Sequence, residues 1–458
     1  MNSRAGYGLA CLLAVLTFLI LTVSPALSQT APKAAETVTL RDVTARLHLQ
    51  IAPAVDSDSS SSGLDALASA RKSWIAAMGG SVAAGDADHD GVIDLYVVVP
   101  GASNHLFRGL KDGTFEDVTA KAKVAGSGGD VSAVLADYDH SGHSSLFVAG
   151  LGGVRVYHNN GDGTFTDATA KAGLGGKAGE LASSVLLFDA DGDGWVDALV
   201  TVYADLSAAS PQAAFPRDFS GASSRLYRNQ HDGTFRDVTE TSGLVDNPGR
   251  TRRAVAADFN QNGRMALLLL RDNKPPALYR NLGNCRFEEE TWEAGAENWK
   301  FAYLDGQAAD FDGDGKMDLA LWSTIGNEVL INQGGGKFEP EVHLPLVYAP
   351  NRTFGFHGAV ADVMGAGAMD LLTVDSSNRW HVMANHKRQF AQVPVIMDGG
   401  GKDAPAELTA KLASLLPVRL RKGGPLLLIG VEMDGRVVAL EATASRKQAP
   451  VGHAEKGK

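Results

Sequence analysis

Short apolar runs alternate with polar turns along most of this chain, which is typical of β-strands. One such run, Leu319-Ala-Leu-Trp322, comes directly after a loop rich in aspartate. Other runs flank an Asp-Gly pair, as at Asp112-Gly-Thr-Phe115, Asp162-Gly-Thr-Phe165 and Asp232-Gly-Thr-Phe235. Asp-Gly between apolar runs indicates a hairpin turn, because both residues readily adopt positive φ. Each unit is therefore predicted to contain four short antiparallel strands.

This unit repeats along the sequence. Its aspartate-rich loop begins at Asp86, Asp137, Asp189, Asp258, Asp310 and Asp362. Successive loops start 51, 52, 69, 52 and 52 residues apart, and the long interval contains an insertion at 204–222. Four strands in about 50 residues predict one blade of a β-propeller. A solenoid of parallel strands is the alternative, but it would not use antiparallel hairpins.

The two ends of the repeat region indicate the number of blades. Leu40-Arg-Asp-Val-Thr44 matches the last strand of a unit but has no acidic loop before it. The segment 426–440 contains apolar runs around an Asp-Gly pair but lacks an outer strand. Joining the two ends in one blade would remove the last open sheet edge. The predicted fold is all-β: a seven-bladed β-propeller of four-stranded antiparallel blades over 29–440, with the seventh blade closed by both termini. Six blades is the alternative.

The acidic loop has the chemistry of a cation site. In the copy that begins at Asp310, aspartates occupy positions 1, 3, 5 and 9, and Gly315 stands at position 6, where the chain must turn. A backbone carbonyl at position 7 can add a fifth oxygen. Oxygen ligands at this density favour Ca²⁺. The loop is not an EF-hand, because position 12 is Leu321 instead of a bidentate glutamate. An acidic surface turn without metal is the alternative.

The six loops are not equal. Three carry all the predicted ligands, which are Asp86, Asp88, Asp90, the carbonyl of Val92 and Asp94; Asp189, Asp191, Asp193, the carbonyl of Trp195 and Asp197; and Asp310, Asp312, Asp314, the carbonyl of Lys316 and Asp318. The loop with Asp137, Asp139 and Ser141 has Ser145 at position 9, and it is predicted to bind calcium weakly or not at all. The loops at Asp258 and Asp362 have lost most ligands and are predicted to be metal-free turns. We therefore expect about three structural Ca²⁺ ions.

The chain resembles the FG-GAP/VCBS repeat family, the calcium-loop propellers typified by integrin α-subunit heads. Phe354-Gly-Phe-His-Gly358-Ala-Val-Ala-Asp362 is similar to the opening strand of that repeat. Phe115-Glu-Asp-Val-Thr119 and Leu226-Tyr-Arg-Asn229 resemble the secreted cartilage acidic protein-like (ASPIC-type) branch. The resemblance spans roughly residues 38 to 440. It implies a propeller with structural calcium, but it is a poor guide to the ligand, because this scaffold serves adhesins, lectins and lyases.

Residues 1–28 have the features of a signal peptide. Arg4 precedes an apolar run from Leu9 to Val23, and Ala26-Leu-Ser28 offers small residues for cleavage. The run is short for a membrane span, so we expect a secreted or periplasmic protein that does not span the membrane after cleavage; a retained anchor is the alternative. Residues 441–458 are predicted to be a disordered tail. The net charge of −11 argues against nucleic acid as a partner.

The face opposite the acidic loops is the predicted ligand face. It collects aromatic and basic residues, which are Trp74, Arg252, Arg253, Trp299, Tyr303 and His357. Such side chains favour binding of a protein or a glycan, although Tyr303 could instead pack at the start of a strand. The main hypothesis is a monomeric, non-enzymatic binding or adhesion module with no catalytic residues. A polysaccharide-active lyase or hydrolase on the same scaffold and a scaffold subunit of a cell-envelope assembly are the alternatives.

Overall fold

A computed structural model describes residues 36–51, 66–207, 209–244, 249–291, 293–295, 303–323, 327–343, 358–375, 379–398 and 412–446. The first elements along the chain are strand β1 (Glu36–Asp42) and helix α1 (Ala66–Met78). Every later repeat unit forms its own antiparallel sheet, as the alternation of apolar runs and turns predicts. The predicted signal peptide, residues 1–28, lies outside the described residues.

Blades 1 to 6 are four-stranded sheets whose strands follow one another in chain order. Blades 1 and 2 are β2 (Ser81–Gly85), β3 (Asp94–Val98), β4 (His105–Gly109) and β5 (Phe115–Asp117), then β6 (Asp130–Ala136), β7 (Ser145–Gly150), β8 (Gly153–Asn159) and β9 (Phe165–Asp167). Blades 3 and 4 are β10 (Glu180–Phe188), β11 (Asp197–Asp205), β12 (Arg225–Asn229) and β13 (Phe235–Asp237), then β14 (Thr251–Ala257), β15 (Ala266–Arg271), β16 (Ala277–Gly283) and β17 (Arg286–Glu289). Blades 5 and 6 are β18 (Tyr303–Ala309), β19 (Asp318–Ser323), β20 (Asn327–Gly334) and β21 (Lys337–His343), then β22 (Gly358–Ala361), β23 (Asp370–Val374), β24 (Trp380–His386) and β25 (Gln389–Val393).

Blade 7 combines strands from both ends of the described chain. Its remaining members are β26 (Val395–Asp398), β27 (Leu412–Val418), β28 (Leu426–Glu432) and β29 (Val437–Arg446). The sheet order is β27-β28-β29-β1-β26, so β1 lies beside β29 as the fourth strand. The prediction of four strands is wrong for this blade, because β26 adds a fifth strand parallel to β1. Strand β29 also continues to Arg446, six residues past the predicted end of the propeller at 440.

An Asp-Val-Thr segment, or Asp-Ala-Thr in blade 2, ends the units of blades 1 to 3 and joins the end of the last strand to the third strand. In blade 1, Asp117 accepts hydrogen bonds from the backbone N–H and hydroxyl of Thr119 at 2.9 and 2.5 Å. The Thr119 hydroxyl accepts the backbone N–H of Leu106 on β4 at 2.8 Å. Thr44 accepts the N–H of Ala439 on β29 in the same way, at 2.9 Å. The N-terminal copy of the motif thus attaches to the third strand of blade 7.

Short helices follow three of these segments: α2 (Thr119–Ala122), α3 (Thr169–Ala172) and α4 (Thr239–Ser242).

The hydrophobic core lies between neighbouring sheets. One apolar cluster joins blade 7 to blade 1 through residues such as Ile429 and Leu95, and another joins β1 to blade 6 through residues such as Leu40 and Leu372. None of the helices in the described ranges is long and apolar enough to cross a membrane.

Candidate metal centres and ligand face

The acidic loops all join the first strand of a blade to its second strand. In blades 1, 3 and 5, the residue just before the loop pairs with the ninth loop residue, as Gly85 with Asp94, Phe188 with Asp197 and Ala309 with Asp318. Since each loop closes an antiparallel pair at the same end of its blade, the loops lie on one face of the propeller.

The first aspartate organises the backbone of each loop. Asp310 accepts the N–H groups of Gly313 and Asp314 with one oxygen, at 2.7 and 3.2 Å, and that of Gly315 with the other, at 2.9 Å. Gly315 has φ of +84°, a conformation that side chains with a Cβ rarely adopt. These bonds wrap the loop around the first carboxylate, so the side chains at positions 3 and 5 turn toward it.

Three loops bring carboxylates together closely enough to share a cation. The grouped residues, whose ligand atoms lie within 4.8 Å of one another, are Asp86, Asp88 and Asp90; Asp189, Asp191 and Asp193; and Asp310, Asp312 and Asp318. Oxygens coordinated to one Ca²⁺ at about 2.4 Å lie at most about 4.8 Å apart. Asp88 Oδ1 is also buried, with no hydrogen-bond partner among the described residues. These donor sets therefore fit a hard cation.

The aspartate at position 9 also forms hydrogen bonds that tie the loop to the third strand of its blade. Asp94 is buried, and its two oxygens accept the N–H groups of Ala87 and Gly109 at 2.7 and 2.8 Å. Burial raises the pKa of Asp94 to about 6, and it does the same for Asp197 and Asp318. Asp370 makes equivalent bonds in blade 6, where Met364 and Ala366 replace the aspartates at positions 3 and 5. Position 9 is therefore a clamp between the loop and the third strand, whether or not a metal site is present.

The position-7 residues also make a defined contact. Each of Val92, Trp195 and Lys316 donates its backbone N–H at 2.9 Å to the aspartate at position 5 of its own loop. Asp314 pairs in addition with the ammonium group of Lys316, and it does not belong to the carboxylate group of its loop.

Arginines on the third strand reach two of the loops, which the sequence analysis missed. Arg108 on β4 contacts Asp88 and lies 3.3 Å from Asp90 Oδ2. Arg228 on β12 lies 2.5 Å from Asp191 and 3.3 Å from Asp193. The sequence signal was the arginine of Leu-Phe-Arg-Gly and Leu-Tyr-Arg-Asn, which stands at the same place in both units.

The other three loops keep the turn without a matching set of ligands. In the loop at Asp137, the N–H of Ser141 donates to Asp137 and Asp139 at 3.0 and 3.3 Å, and His158 lies 3.1 Å from Asp139. Asp258 and Asp362 accept backbone N–H groups in the same pattern. Among the described residues, none of these loops forms a group of three acidic side chains.

The predicted ligand-face residues divide into two groups. Trp74 is buried on α1 against Phe219, with ring centres 4.9 Å apart, and Tyr303 is buried with its hydroxyl bonded to Glu328. Both side chains contribute to packing and not to an open surface. Trp299 and His357 lie outside the described residues.

Arg252 and Arg253 both line a cavity of about 30 Å³ among the first strands of several blades. Arg253 pairs with Asp305 at 2.8 Å. Arg252 donates to the carbonyl of Met78 at 3.1 Å, and its guanidinium lies 5.8 Å from the centre of the Tyr203 ring. Its Nη1 is buried and has no hydrogen-bond partner among the described residues.

Comparison with known proteins finds a curated relative and solved structures that are similar to parts of this chain. A curated relative, cartilage acidic protein 1 of Mus musculus, is 30% identical over 163 residues, which are 32% of this chain and 24% of that protein. The match thus spans about a quarter of the relative. A solved lectin of Agrocybe aegerita, described as recognising non-reducing terminal N-acetylglucosamine, is 18% identical with a TM-score of 0.48, over 69% of this chain and 80% of that one.

PorZ, a surface component of the type-IX secretion system of Porphyromonas gingivalis, is 10% identical with a TM-score of 0.41, over 78% of this chain and 37% of that one. The profile of the FG-GAP-like repeat matches four times, at residues 86–148, 137–200, 258–321 and 310–373. Each match runs from one acidic loop through the next and into the strand that follows it. Together the matches cover half of the sequence, and the chain belongs to the FG-GAP-like repeat family.

Proposed function

We propose that this chain is an exported, calcium-stabilised propeller that acts as a non-enzymatic binding module for a protein or carbohydrate. The observation that carries the proposal is the convergence of carboxylates in three loops on one face of the propeller. A binding module needs a rigid surface, and cations that fix the strand ends on one face would leave the opposite face free for a ligand.

The calcium ions would be held by the carboxylates of blades 1, 3 and 5. Bound Ca²⁺ would neutralise the clustered charge of each loop and cross-link its ends. The chain's own part is to preassemble the ligands: the first aspartate folds the loop around itself, and the ninth ties it to the third strand. In this proposal calcium is structural and does not touch the ligand.

The proposed ligand face lies at the opposite end of the blades, where α1 and the insertion after β11 pack together. We expect the ligand to carry an acidic group that binds Arg252, because the buried Nη1 of Arg252 lacks a hydrogen-bond partner in the described part of the chain. Guanidinium groups bind carboxylates, sulfates and phosphates through paired N–H donors. The cavity of about 30 Å³ beside Arg252 has room for one small anionic group and not for a whole sugar ring.

Export is proposed from residues 1–28, on the pattern of a basic start, an apolar run and small residues at the cleavage site. An exported module would meet millimolar calcium outside the cell, which suits the weak sites of extracellular calcium modules. It would also meet the glycans and proteins that are its proposed ligands.

A binding screen with one variant and a matched control tests the proposed ligand face. Purified protein in calcium is screened against acidic and neutral glycans and against envelope proteins. We expect to recover a ligand that the protein leaves chemically unchanged. Arg252→Gln should bind this ligand at least about tenfold more weakly, since one hydrogen bond to a charged group contributes about 1.5–3 kcal/mol. Arg236→Gln, on the exposed side of β13, should bind as the wild type does. Equal affinity of all three proteins, or a chemically altered ligand, would contradict the proposal.

A further inference from the structure

The second residue of each acidic loop packs at the junction with the next blade. Three of these residues are aromatic: Tyr138, Phe259 and Phe311. Each ring lies against a phenylalanine of the following blade, with centres 5.7 Å apart for Tyr138 and Phe235 and 5.4 Å apart for Phe259 and Phe338. Tyr138 stacks nearly parallel to Phe235, at 18°. A loop aromatic ring thus fills the space between two blades.

Two junctions have alanine in place of the ring, at Ala87 and Ala190. At Ala190, the side chain of Cys285 supplies the missing volume: it is buried in the same apolar cluster as Ala190 and Phe287. Cys285 stands four residues after Asn281, in the hairpin position that glycine occupies in blades 2 and 3. The lone cysteine is thus a filler of the blade 3–4 junction, and burial together with the nearby Asp197 raises the pKa of its thiol.

At Ala87 neither replacement is present. The corresponding hairpin residue of blade 2 is Gly163, with φ of +78°, so neither of these two positions places a large side chain in the junction. A cavity of about 280 Å³ opens there, lined by Ala87, Leu106, Val118 and Phe165 and by the charged Arg108 and Lys121. Cavities of about 150 Å³ with apolar walls already accept benzene, so this one has room for an aromatic ring.

The blade 2–3 junction shows how an occupant would lie. Helices α2 and α3 have the same sequence, Thr-Ala-Lys-Ala, so Lys121 corresponds to Lys171. A Cβ placed on Gly233 would lie 3.3 Å from Lys171 Nζ and 3.8 Å from the Tyr138 hydroxyl, which puts both groups in one place. A Cβ placed on Gly163 would lie 3.6 Å from Lys121 Nζ. A ring in the empty junction would therefore stack on Phe165 and turn a para-hydroxyl toward Lys121.

We propose that the cavity between blades 1 and 2, here called the Ala87 pocket, binds a small aromatic molecule of the phenol class. The ring takes the place that Tyr138 fills one junction further on, and the hydroxyl contacts Lys121. A neutral phenol fits better than an aromatic acid, because four carboxylates (Asp88, Asp94, Glu116 and Asp162) also line the pocket. This site is on the face of the acidic loops and does not depend on the proposed ligand face.

Titration with p-cresol, the free equivalent of a tyrosine side chain, tests the Ala87 pocket. Calorimetry of the purified wild type in calcium should give one p-cresol per chain. Ala87→Tyr should abolish binding, because it supplies a ring like those that fill three other junctions. Tyr138→Ala should raise the stoichiometry to two, because it empties an equivalent junction. Wild type that binds no p-cresol, or Ala87→Tyr that binds it with unchanged affinity, would overturn the proposal.

Three further measurements test the Ala87 pocket. Ala87→Leu fills part of the pocket with a side chain smaller than that of tyrosine, so it should weaken p-cresol binding. This variant tests the pocket even if Ala87→Tyr fails to fold. Nuclear Overhauser contacts should join p-cresol to the Phe165 ring, and contacts to any other aromatic cluster would overturn the assignment. The wild type should bind p-cresol more tightly than toluene, which lacks the hydroxyl. Lys121→Met should remove this preference, and a preference that persists would overturn the role of Lys121.

Discussion

At the scale of single residues, one asparagine in each of blades 2 to 6 links that blade to the preceding one. These residues are Asn159, Asn229, Asn281, Asn332 and Asn385, and all are buried. Each donates its side-chain amide to the carbonyl of the second loop residue in the preceding blade, as Asn229 does to Tyr138 at 2.8 Å. The same amide reaches a carbonyl of its own blade, and the side-chain oxygen accepts an N–H of the following hairpin. One side chain thus satisfies backbone groups of two blades, which would otherwise be costly to bury.

Replacing such an asparagine should destabilise the propeller. Asn159→Ala would leave the carbonyls of Ala87 and Ser144 without their amide donor. We expect a loss of about 1–3 kcal/mol in the free energy of unfolding, the cost of leaving buried polar groups unsatisfied. Urea unfolding of the variant and the wild type measures this loss.

The next residue provides a matched control. Asn160 is exposed and bonds only locally, to Thr164 and Thr166. Asn160→Ala should therefore change the unfolding free energy by no more than about 0.5 kcal/mol. Equal effects of the two substitutions would show that the link between blades contributes no stability of its own.

At the scale of the element, the acidic loop is held in shape by three kinds of contact. Its first aspartate accepts backbone N–H groups within the loop, its ninth ties the loop to the third strand, and in blades 1 and 3 an arginine of that strand pairs with positions 3 and 5. The loops at Asp258 and Asp362 show that the turn itself needs few acidic residues. The additional carboxylates in blades 1, 3 and 5 therefore require another explanation, and a bound cation provides one.

Arg228 should compete with calcium for the loop of blade 3. Its guanidinium contacts Asp191 and Asp193, two of the carboxylates that an ion would use. A partly exposed pair of this kind is worth about 0.2–1 kcal/mol, so Arg228→Met should raise the affinity of this loop for calcium by up to about fivefold. Isothermal titration with calcium measures the change.

Arg236→Met serves as the control for this charge removal, because Arg236 is an exposed arginine on the outer strand of the same blade. It should leave the calcium affinity nearly unchanged. If Arg228→Met binds calcium more weakly than the wild type, the arginine positions the carboxylates and does not compete for them.

At the scale of the whole molecule, seven sheets share apolar clusters from blade to blade. The cluster of blades 7 and 1 and that of blades 6 and 7 join the two ends of the described chain to one ring of sheets. After removal of residues 1–28, Cys285 would be the single cysteine, and it is buried as a free thiol. In that form no intramolecular disulfide can form, so stability must come from packing and from hydrogen bonds between blades, to which the proposed calcium ions would add.

Sequence separation decides how much of this could be predicted. The strands, the hairpins and the acidic loops are local patterns that recur, so the repeat predicts six blades and three complete loops, and the unpaired strands at its two ends predict the seventh blade. The link from Asn229 to Tyr138 spans 91 residues, and no local pattern indicates that the two meet. The same is true of β26, which pairs with β1 from the other end of the chain, and of the burial of Trp74 under the insertion.

Calcium is expected to make a large contribution to the stability of the molecule. Extracellular modules bind calcium with dissociation constants of about 10⁻⁴ to 10⁻³ M. A site at the tight end of that range, exposed to millimolar calcium, stabilises the fold by about 1.4 kcal/mol. Three independent sites would contribute about 4 kcal/mol, which is a large part of the stability of a typical domain.

A thermal melt of the purified chain with millimolar calcium and with chelator, together with a metal count, is the most direct test. We predict about three calcium ions per chain and a higher melting temperature in calcium. The double variant Asp312→Ala and Asp314→Ala should lower the melting temperature in calcium and leave it nearly unchanged in chelator. No bound metal and equal melting temperatures in the two conditions would mean that the acidic loops are ordinary turns, and would contradict the account.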